Sequence, residues 1–351
     1  MAITDKEKGV WGLDQVYNKI NQGSIWEYTG AAGLYAWGYD ADGQMGLNSR
    51  GVAYSSPVQV PGTDWKYVSG SGTLNDGTNA FYITSSGTMW ATGSNGKGQL
   101  GLNDRTKRSS PTQIPGTTWG AWVETLGQKS YAIKTDGTLW AWGYNTPSYG
   151  ELGHNNKTDY SSPTQIPGTT WSKIESYGYS VMSTKTDGTL WTWGANNFGK
   201  LGLNNTTAYS SPKQVPGTDW GTALGGGNQF GGAIRTDGTL WMWGVNEYGM
   251  LGQNNKTNYS SPRQVPGSTW SKVAGMNNSV IAVKTDGTMW SWGINDAGQL
   301  GLNNLTNYSS PVQIPGTTWN NITTTQYHVL ATKSDGTMWS WGGNGQGQMG
   351  I

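Results

Sequence analysis

The chain has 351 residues, including 55 glycines, 21 tryptophans and 18 tyrosines, and no cysteine, so disulfides, thiolate nucleophiles and thiolate metal sites are excluded. With 22 basic against 21 acidic side chains, the net charge of +1 offers no electrostatic footprint for nucleic acid or an anionic membrane. No run approaches the roughly 18 apolar residues of a membrane span, and the start MAITDKEKGV has no apolar stretch, so no secretory signal is expected.

The first element is not repetitive. VWGLDQVYNKINQGSIW (residues 10–26) places Leu13, Val16, Tyr17 and Ile20 at i, i+3, i+4 and i+7. That spacing predicts a short amphipathic helix ended by Asn21-Gln22-Gly23. Its apolar face is a candidate anchor, either packed on the following domain or docking it onto a larger body. We therefore divide the chain into an N-terminal arm, 1–23, and a repetitive domain, 24–351.

From residue 24 onward one sentence recurs. Trp-Gly steps fall at Trp37, Trp142, Trp193, Trp243, Trp292 and Trp341, and Thr92-Gly93 takes the second place. The glycines are spaced 49 to 55 residues apart, giving seven registers. Ser-Ser-Pro marks end at Pro57, Pro111, Pro163, Pro212, Pro262 and Pro311. The first unit opens with SIWEYTGAAGLYAWG (24–38), read as two strands that help the C-terminus close the sheet. The second unit is the most diverged, at SGSGTLNDGTNAFYITSSG (69–87), and the third carries extra residues near Thr146-Pro147. Both breaks are candidate specificity points.

Within a unit, YAIKTDGTLWAWGY (131–144) reads as two strands around an Asp-Gly hairpin, and the pair returns at Asp187, Asp237, Asp286 and Asp335. The expected turn is type I′. WSKIESY (171–177) supplies a third strand, and SPTQIP (162–167), bounded by prolines, an edge strand. Four strands at a period of about 50 describe a propeller blade. The expected fold is all-β, a seven-bladed β-propeller of four-stranded blades with a short N-terminal helical segment. Trp140 and Trp142 share a strand face and are expected to wedge between blades.

The strings DGTLWAWG, NxxGxLG and SPxQI, in seven registers over residues 24–351, resemble the regulator-of-chromosome-condensation repeat family. The resemblance implies a seven-bladed propeller and no single activity. A photoreceptor branch of that family uses a Gly-Trp-Arg-His-Thr type motif, and no Trp-Arg-His string occurs here. The leader at 10–26 is similar to that found ahead of repetitive domains in virion proteins of marine bacteriophages.

No arrangement of residues points to catalysis, a cofactor or a metal. The Asp of each TDGT is read as turn geometry, and His154 and His328 sit in different registers without an acidic or nucleophilic partner. The glycine runs at 224–232 and 342–350 lack a phosphate-loop ending. The Asn-x-Thr sequons at Asn156, Asn205, Asn255 and Asn304 are read as repeat content. The loop NNxTxYSSP brings Tyr54, Tyr160, Tyr209, Tyr259 and Tyr308 to one rim. These tyrosines either contact a partner or pack on their own blades, and both readings stay open.

The expected function is a non-enzymatic structural or binding module. Its preferred role is a bacteriophage virion component, decorating a capsid or forming part of a tail, with shell or tail proteins as partners. The alternative is a soluble cytoplasmic, partner-binding or inhibitory propeller, as the family's β-lactamase-inhibitor branch implies. A cell-surface glycan is a further candidate partner. Guanine-nucleotide exchange is disfavoured, because no long wedge-like insertion or basic tail is present.

Overall fold

The computed structural model describes residues 33–62, 64–70, 78–325 and 327–343. They form seven antiparallel sheets in chain order, which we number 1 to 7. Sheet 1 has two strands, Tyr35–Asp40 and Val52–Gln59. Sheets 2 to 6 have four each, and sheet 7 has three, Trp319–Thr324, His328–Lys333 and Met338–Gly342. Sheet 4 is representative: Trp171–Tyr177, Ser180–Lys185, Leu190–Gly194 and Tyr209–Val215 pair in sequence order. The first strand of each blade lies against the first strand of the next, so these strands ring a common axis. The Ser-Ser-Pro strand is outermost, where a proline's missing donor disrupts no ladder.

Two expectations need correction. Seven four-stranded blades were expected; among the described residues there are six blades, one of them three-stranded, plus the two-stranded sheet 1. Within the described range the last unit supplies three strands and the first supplies only its last two. The Asp-Gly hairpins are not type I′. Gly137 N donates to Lys134 O at 2.9 Å and Lys134 N donates to Thr138 O at 2.9 Å. Only Gly137 has positive φ, at 76°, and Asp136 does not. This is a type I turn closed by a left-handed glycine. The aspartate holds it by accepting from Thr138 N at 2.9 Å and Thr138 Oγ1 at 2.7 Å.

No α-helix occurs among the described residues. The expected helix with Leu13, Val16, Tyr17 and Ile20, the boundary at residue 23 and the hairpin from Ser24 lie outside them, as does the segment 344–351.

The core is divided among the interfaces between sheets. One cluster joins Phe81, Met89, Leu100 and Ile114 of sheet 2 to Trp119 and Trp142 of sheet 3. Trp142, Trp193, Trp243 and Trp292 are fully buried. Each indole N–H reaches back to the preceding unit, as Trp142 Nε1 does to Gln99 O (2.8 Å) and Trp243 Nε1 to Lys200 O (2.9 Å). The expected wedge holds for one tryptophan of each pair, while the other, as at Trp140, Trp191, Trp241 and Trp290, is half-buried. A third tryptophan opens the innermost strand and meets both others edge-on, with Trp171 at 6.2 Å from Trp191 and from Trp193. A cation from the hairpin sits on the stack: Lys185 Nζ is 4.6 Å from the Trp171 ring and 4.9 Å from Trp191.

A second latch explains the glycine and Ser-Ser-Pro motifs together. Asn204, at φ 55°, donates its N–H to Ser260 O of the next blade at 2.7 Å. A Cβ on Gly199 would lie 2.4 Å from Ser260 Cα. Glycine is required there by this close approach and by its φ of 79°.

Candidate functional site

Antiparallel order puts the long loop after the third strand, and the turn between the first and second strands, on one rim of the disc. The Asp-Gly hairpins and Pro-Gly-Thr connections occupy the other rim. The repeat positions its long loop with a buried asparagine. In unit 4, Asn196 Oδ1 accepts from Leu201 N (2.9 Å) while its Nδ2 donates to Thr207 O (2.9 Å). The sequon asparagine then closes an Asx turn, Asn205 Oδ1 accepting from Thr207 N at 2.9 Å. The Asn-x-Thr pattern therefore has a structural cause.

The five tyrosines stand on this loop rim, each half-buried. Tyr160, Tyr209, Tyr259 and Tyr308 accept from the sequon asparagine of their own unit, at 2.9 Å from Asn156 and 3.3 Å from Asn255, for example. Tyr54 OH donates to Ser49 Oγ at 2.9 Å. Tyr160, Tyr259 and Tyr308 also pack against the apolar clusters. The five do not converge on a shared cavity; they recur one per unit. His154 is partly buried, Nε2 lying 3.0 Å from Thr164 O, and burial lowers its pKa. His328 pairs with Thr325 Oγ1 at 2.7 Å. Neither joins a carboxylate, and among the described residues no group of three or more His, Asp or Glu side chains could hold a metal ion.

Where the side chains do converge, the repeat is broken. A hollow of about 200 Å³ opens on the loop rim where sheets 3, 4 and 5 meet. Tyr149, from the lengthened third-unit loop, and Tyr179 form one wall, their rings 5.9 Å apart. Asn197 and Phe198 from the fourth loop and Asn228 and Gln229 from the turn of sheet 5 complete the rim, and Lys200 lines it from within. Phe198 is 52% exposed at φ 63°. Its counterparts Lys97, Tyr149, Tyr248 and Ala297 have no such φ.

Beneath the hollow lies a buried charge cluster. Glu151 is 1% exposed, its Oε1 is 3.4 Å from Lys129 Nζ, and neither carboxylate oxygen has a hydrogen bond among the described residues. Lys129 Nζ also sits 4.8 Å from the Tyr179 ring. Lys200 is 5% exposed and donates to Asn228 O at 3.2 Å. Burial drives its pKa down to about 8, with Glu151 opposing the fall and Lys129 adding to it.

A second group of charges lies on the innermost strands. Glu124 and Glu175 occupy the same register on the innermost strands of sheets 3 and 4, and Ser176 Oγ donates to Glu124 Oε1 at 2.8 Å. Burial, then the Glu124 charge, raises Glu175 to about 8, with Lys173 opposing. Lys173 Nζ lies 3.6 Å from the exposed Trp122 ring. A further hollow of about 240 Å³ between sheets 3 and 4 is walled by His154 and by Trp171, Lys185 and Trp191 of the tryptophan–cation stack, which sheets 3 to 7 share.

Sequence reading missed Glu151, Lys200, Glu124 and Glu175. The signal was available in the columns: GxLG carries Gln44, Gln99, Glu151, Lys200, Met250 and Gln299, so two successive units place charge where others do not.

Comparison with known proteins agrees with the geometry. The profile of the regulator of chromosome condensation (RCC1) repeat matches residues 86–123, 136–176, 187–234, 237–283 and 286–331. The human X-linked retinitis pigmentosa GTPase regulator is 33% identical over 141 residues, 39% of this chain and 13% of that protein. The human probable E3 ubiquitin-protein ligase HERC3 is 27% identical over 135 residues, 38% of this chain and 12% of that protein. The matches thus span only about an eighth of these relatives. Human WBSCR16 superposes with a TM-score of 0.74 at 19% identity, covering 91% of this chain and 90% of its own. Prp20p from Saccharomyces cerevisiae gives 0.72 at 16%, covering 90% and 82%. These two likenesses are of fold alone.

Proposed function

Because the chain belongs to the RCC1 repeat family, whose profile covers more than half of it, we propose that it is a non-enzymatic, protein-binding propeller that presents its loop rim to a partner. The observation that carries this reading is the hollow at sheets 3 to 5. Exposed aromatic and amide side chains gather there around one buried ammonium, at the place where the repeat departs from itself. Rigid aromatics with adaptable amides are good contact chemistry, and interlocked tryptophan blades hold them in place. Tyr54, Tyr160, Tyr209, Tyr259 and Tyr308 extend the same rim and belong to the proposed contact surface. Prp20p, a fold relative, has binding properties toward Gsp1p and histones, which supports a protein partner for this architecture.

The more specific form of the proposal is a virion component, with the N-terminal arm, residues 1–23, as its anchor to shell or tail proteins; the sequence of the leader is what favours it. Among the described residues no helix is long and apolar enough to cross a membrane.

Placing a photo-crosslinking residue at Tyr179 on the loop rim, or at Thr317 on the opposite rim, tests the binding face. Crosslinks from position 179 to one protein at fixed stoichiometry are expected. Crosslinks from 317 alone would overturn the assignment, and retention on a glycan array without a protein crosslink would replace the protein partner by a sugar. Sedimentation with virus particles tests the virion form; an exclusively unassociated pool excludes it.

A further inference from the structure

The charges beneath the hollow call for an explanation that packing does not provide. Gln44, Gln99 and Gln299 use their amide oxygen to accept from their own loop, at Asp42 N (2.9 Å), Lys97 N (2.9 Å) and Ala297 N (2.8 Å). A lysine has no acceptor to offer, so Lys200 cannot close its loop in this way. Met250, fully buried at the same position of the next unit, demonstrates that an apolar side chain satisfies the fold there. Burying an ammonium is costly unless it is paired. Here two ammonium groups, Lys129 and Lys200, share one carboxylate, Glu151, and Lys129 is the one within ion-pair distance. Lys200 is left with a carbonyl at 3.2 Å and faces the hollow.

We propose that this hollow is a receptor for a carboxylate side chain, aspartate or glutamate, carried on a surface loop of a protein partner and held by Lys200 Nζ. The proposal rests on the loop-rim reading above. One carboxylate supplies the missing negative charge and converts the Lys200 site into a neutral, hydrogen-bonded pair. The size agrees: about 200 Å³ is below the usual range for a free cofactor or drug-sized ligand and accommodates one side chain. The surrounding groups suit the peptide on either side of it. Tyr149 and Tyr179 offer ring faces, and the exposed amides of Asn228 and Gln229 can pair with backbone. Phe198, 52% exposed, is held by a left-handed backbone that is strained for a non-glycine residue, and its ring stands at the mouth. Because burial depresses the Lys200 pKa towards neutrality, carboxylate binding takes up a proton in alkaline solution and weakens as pH rises past about 8.

The test uses the full chain and an array of heptapeptides with a central glutamate or aspartate, each matched to its glutamine or asparagine counterpart, with varied flanks. Acidic peptides are expected to bind at least tenfold more tightly than their amides, with that preference falling between pH 7 and pH 9. Lys200→Met, which copies the residue buried at position 250, is expected to keep the melting temperature and abolish the preference; Lys200→Arg is expected to retain part of it. Equal binding of acid and amide peptides, or a preference unchanged in Lys200→Met, overturns the proposal. Glucuronate competing in place of the acidic peptides overturns the protein source. If crosslinking from position 179 persists in Lys200→Met with unchanged affinity, the binding-face reading survives and the carboxylate receptor alone fails.

Discussion

Glu175 is the residue whose environment makes the clearest demand on solution conditions. It is half-buried on the innermost strand of sheet 4, under the influence of Glu124 on the neighbouring blade and Lys173 on its own strand. Its folded pKa of about 8 lies above the ordinary glutamate value of 4.5, so folding favours the protonated form. That stabilisation is complete below about pH 4.5 and disappears as pH rises through 8. Glu175→Gln is therefore expected to be more stable than the wild type at pH 9, and to differ little at pH 5. The gain at pH 9 is on the order of 1 kcal/mol, because water reaching a half-buried carboxyl screens much of the interaction. Thermal melts of both proteins across this range check it; parallel pH profiles would show that neither burial nor the Glu124 charge raises the Glu175 pKa. This pair was not legible in the sequence. Glu124 and Glu175 are separated by a full repeat, and only the stacking of successive blades brings equivalent strands side by side. The turn aspartates were legible as turn residues, yet their mechanism was not. Asp136 acts by hydrogen bonding to Thr138, and the left-handed position belongs to Gly137 alone.

At the level of the strand, the same tryptophan has different weight in different units. Trp193 is fully buried, donates to Glu151 O and packs between sheets 3 and 4. Trp37 occupies the matching position in sheet 1 and is 62% exposed within the described residues. Trp193→Ala is expected to cost about 3–5 kcal/mol, through the cavity it leaves. In a protein lacking residues 1–32, Trp37→Ala is expected to cost less than about 1 kcal/mol. Denaturant titration separates them, and equal losses would refute the argument from burial. The latch on the outer strand carries a third prediction. Gly199→Ala forces a Cβ against Ser260 and strains a φ of 79°, so it is expected to destabilise by about 2 kcal/mol or more, measured in the same titration. Strand identities were plain in the sequence because alternation, Asp-Gly turns and prolines are local signals. The latches were not, since each joins atoms about 50 residues apart.

For the whole molecule, stability follows from blades that cannot bury their faces alone. Met276, Ile281, Met289 and Ile314 of sheet 6 meet Trp319, Val329 and Ala331 of sheet 7 in one cluster. Ending the chain at Thr318 is expected to expose that cluster, lower the melting temperature of the remainder and raise binding of a hydrophobic dye. An unchanged midpoint would mean that the sheets fold independently. Met338 on the last strand is 72% exposed, whereas Met289 at the matching position of sheet 6 is fully buried against its neighbour.

The repeat period, the four-strand unit, the tryptophan wedge and the absence of cysteine chemistry were fixed by the amino-acid sequence, because each depends on neighbours a few residues away or on composition. The blade count among the described residues, the convergence of Tyr149, Tyr179 and Lys200 at one hollow, and the burial of Glu151 beside Lys129 were decided by the tertiary structure. Those depend on which equivalent positions of successive blades become neighbours, and a linear pattern does not contain that adjacency until the strands curl around a common axis.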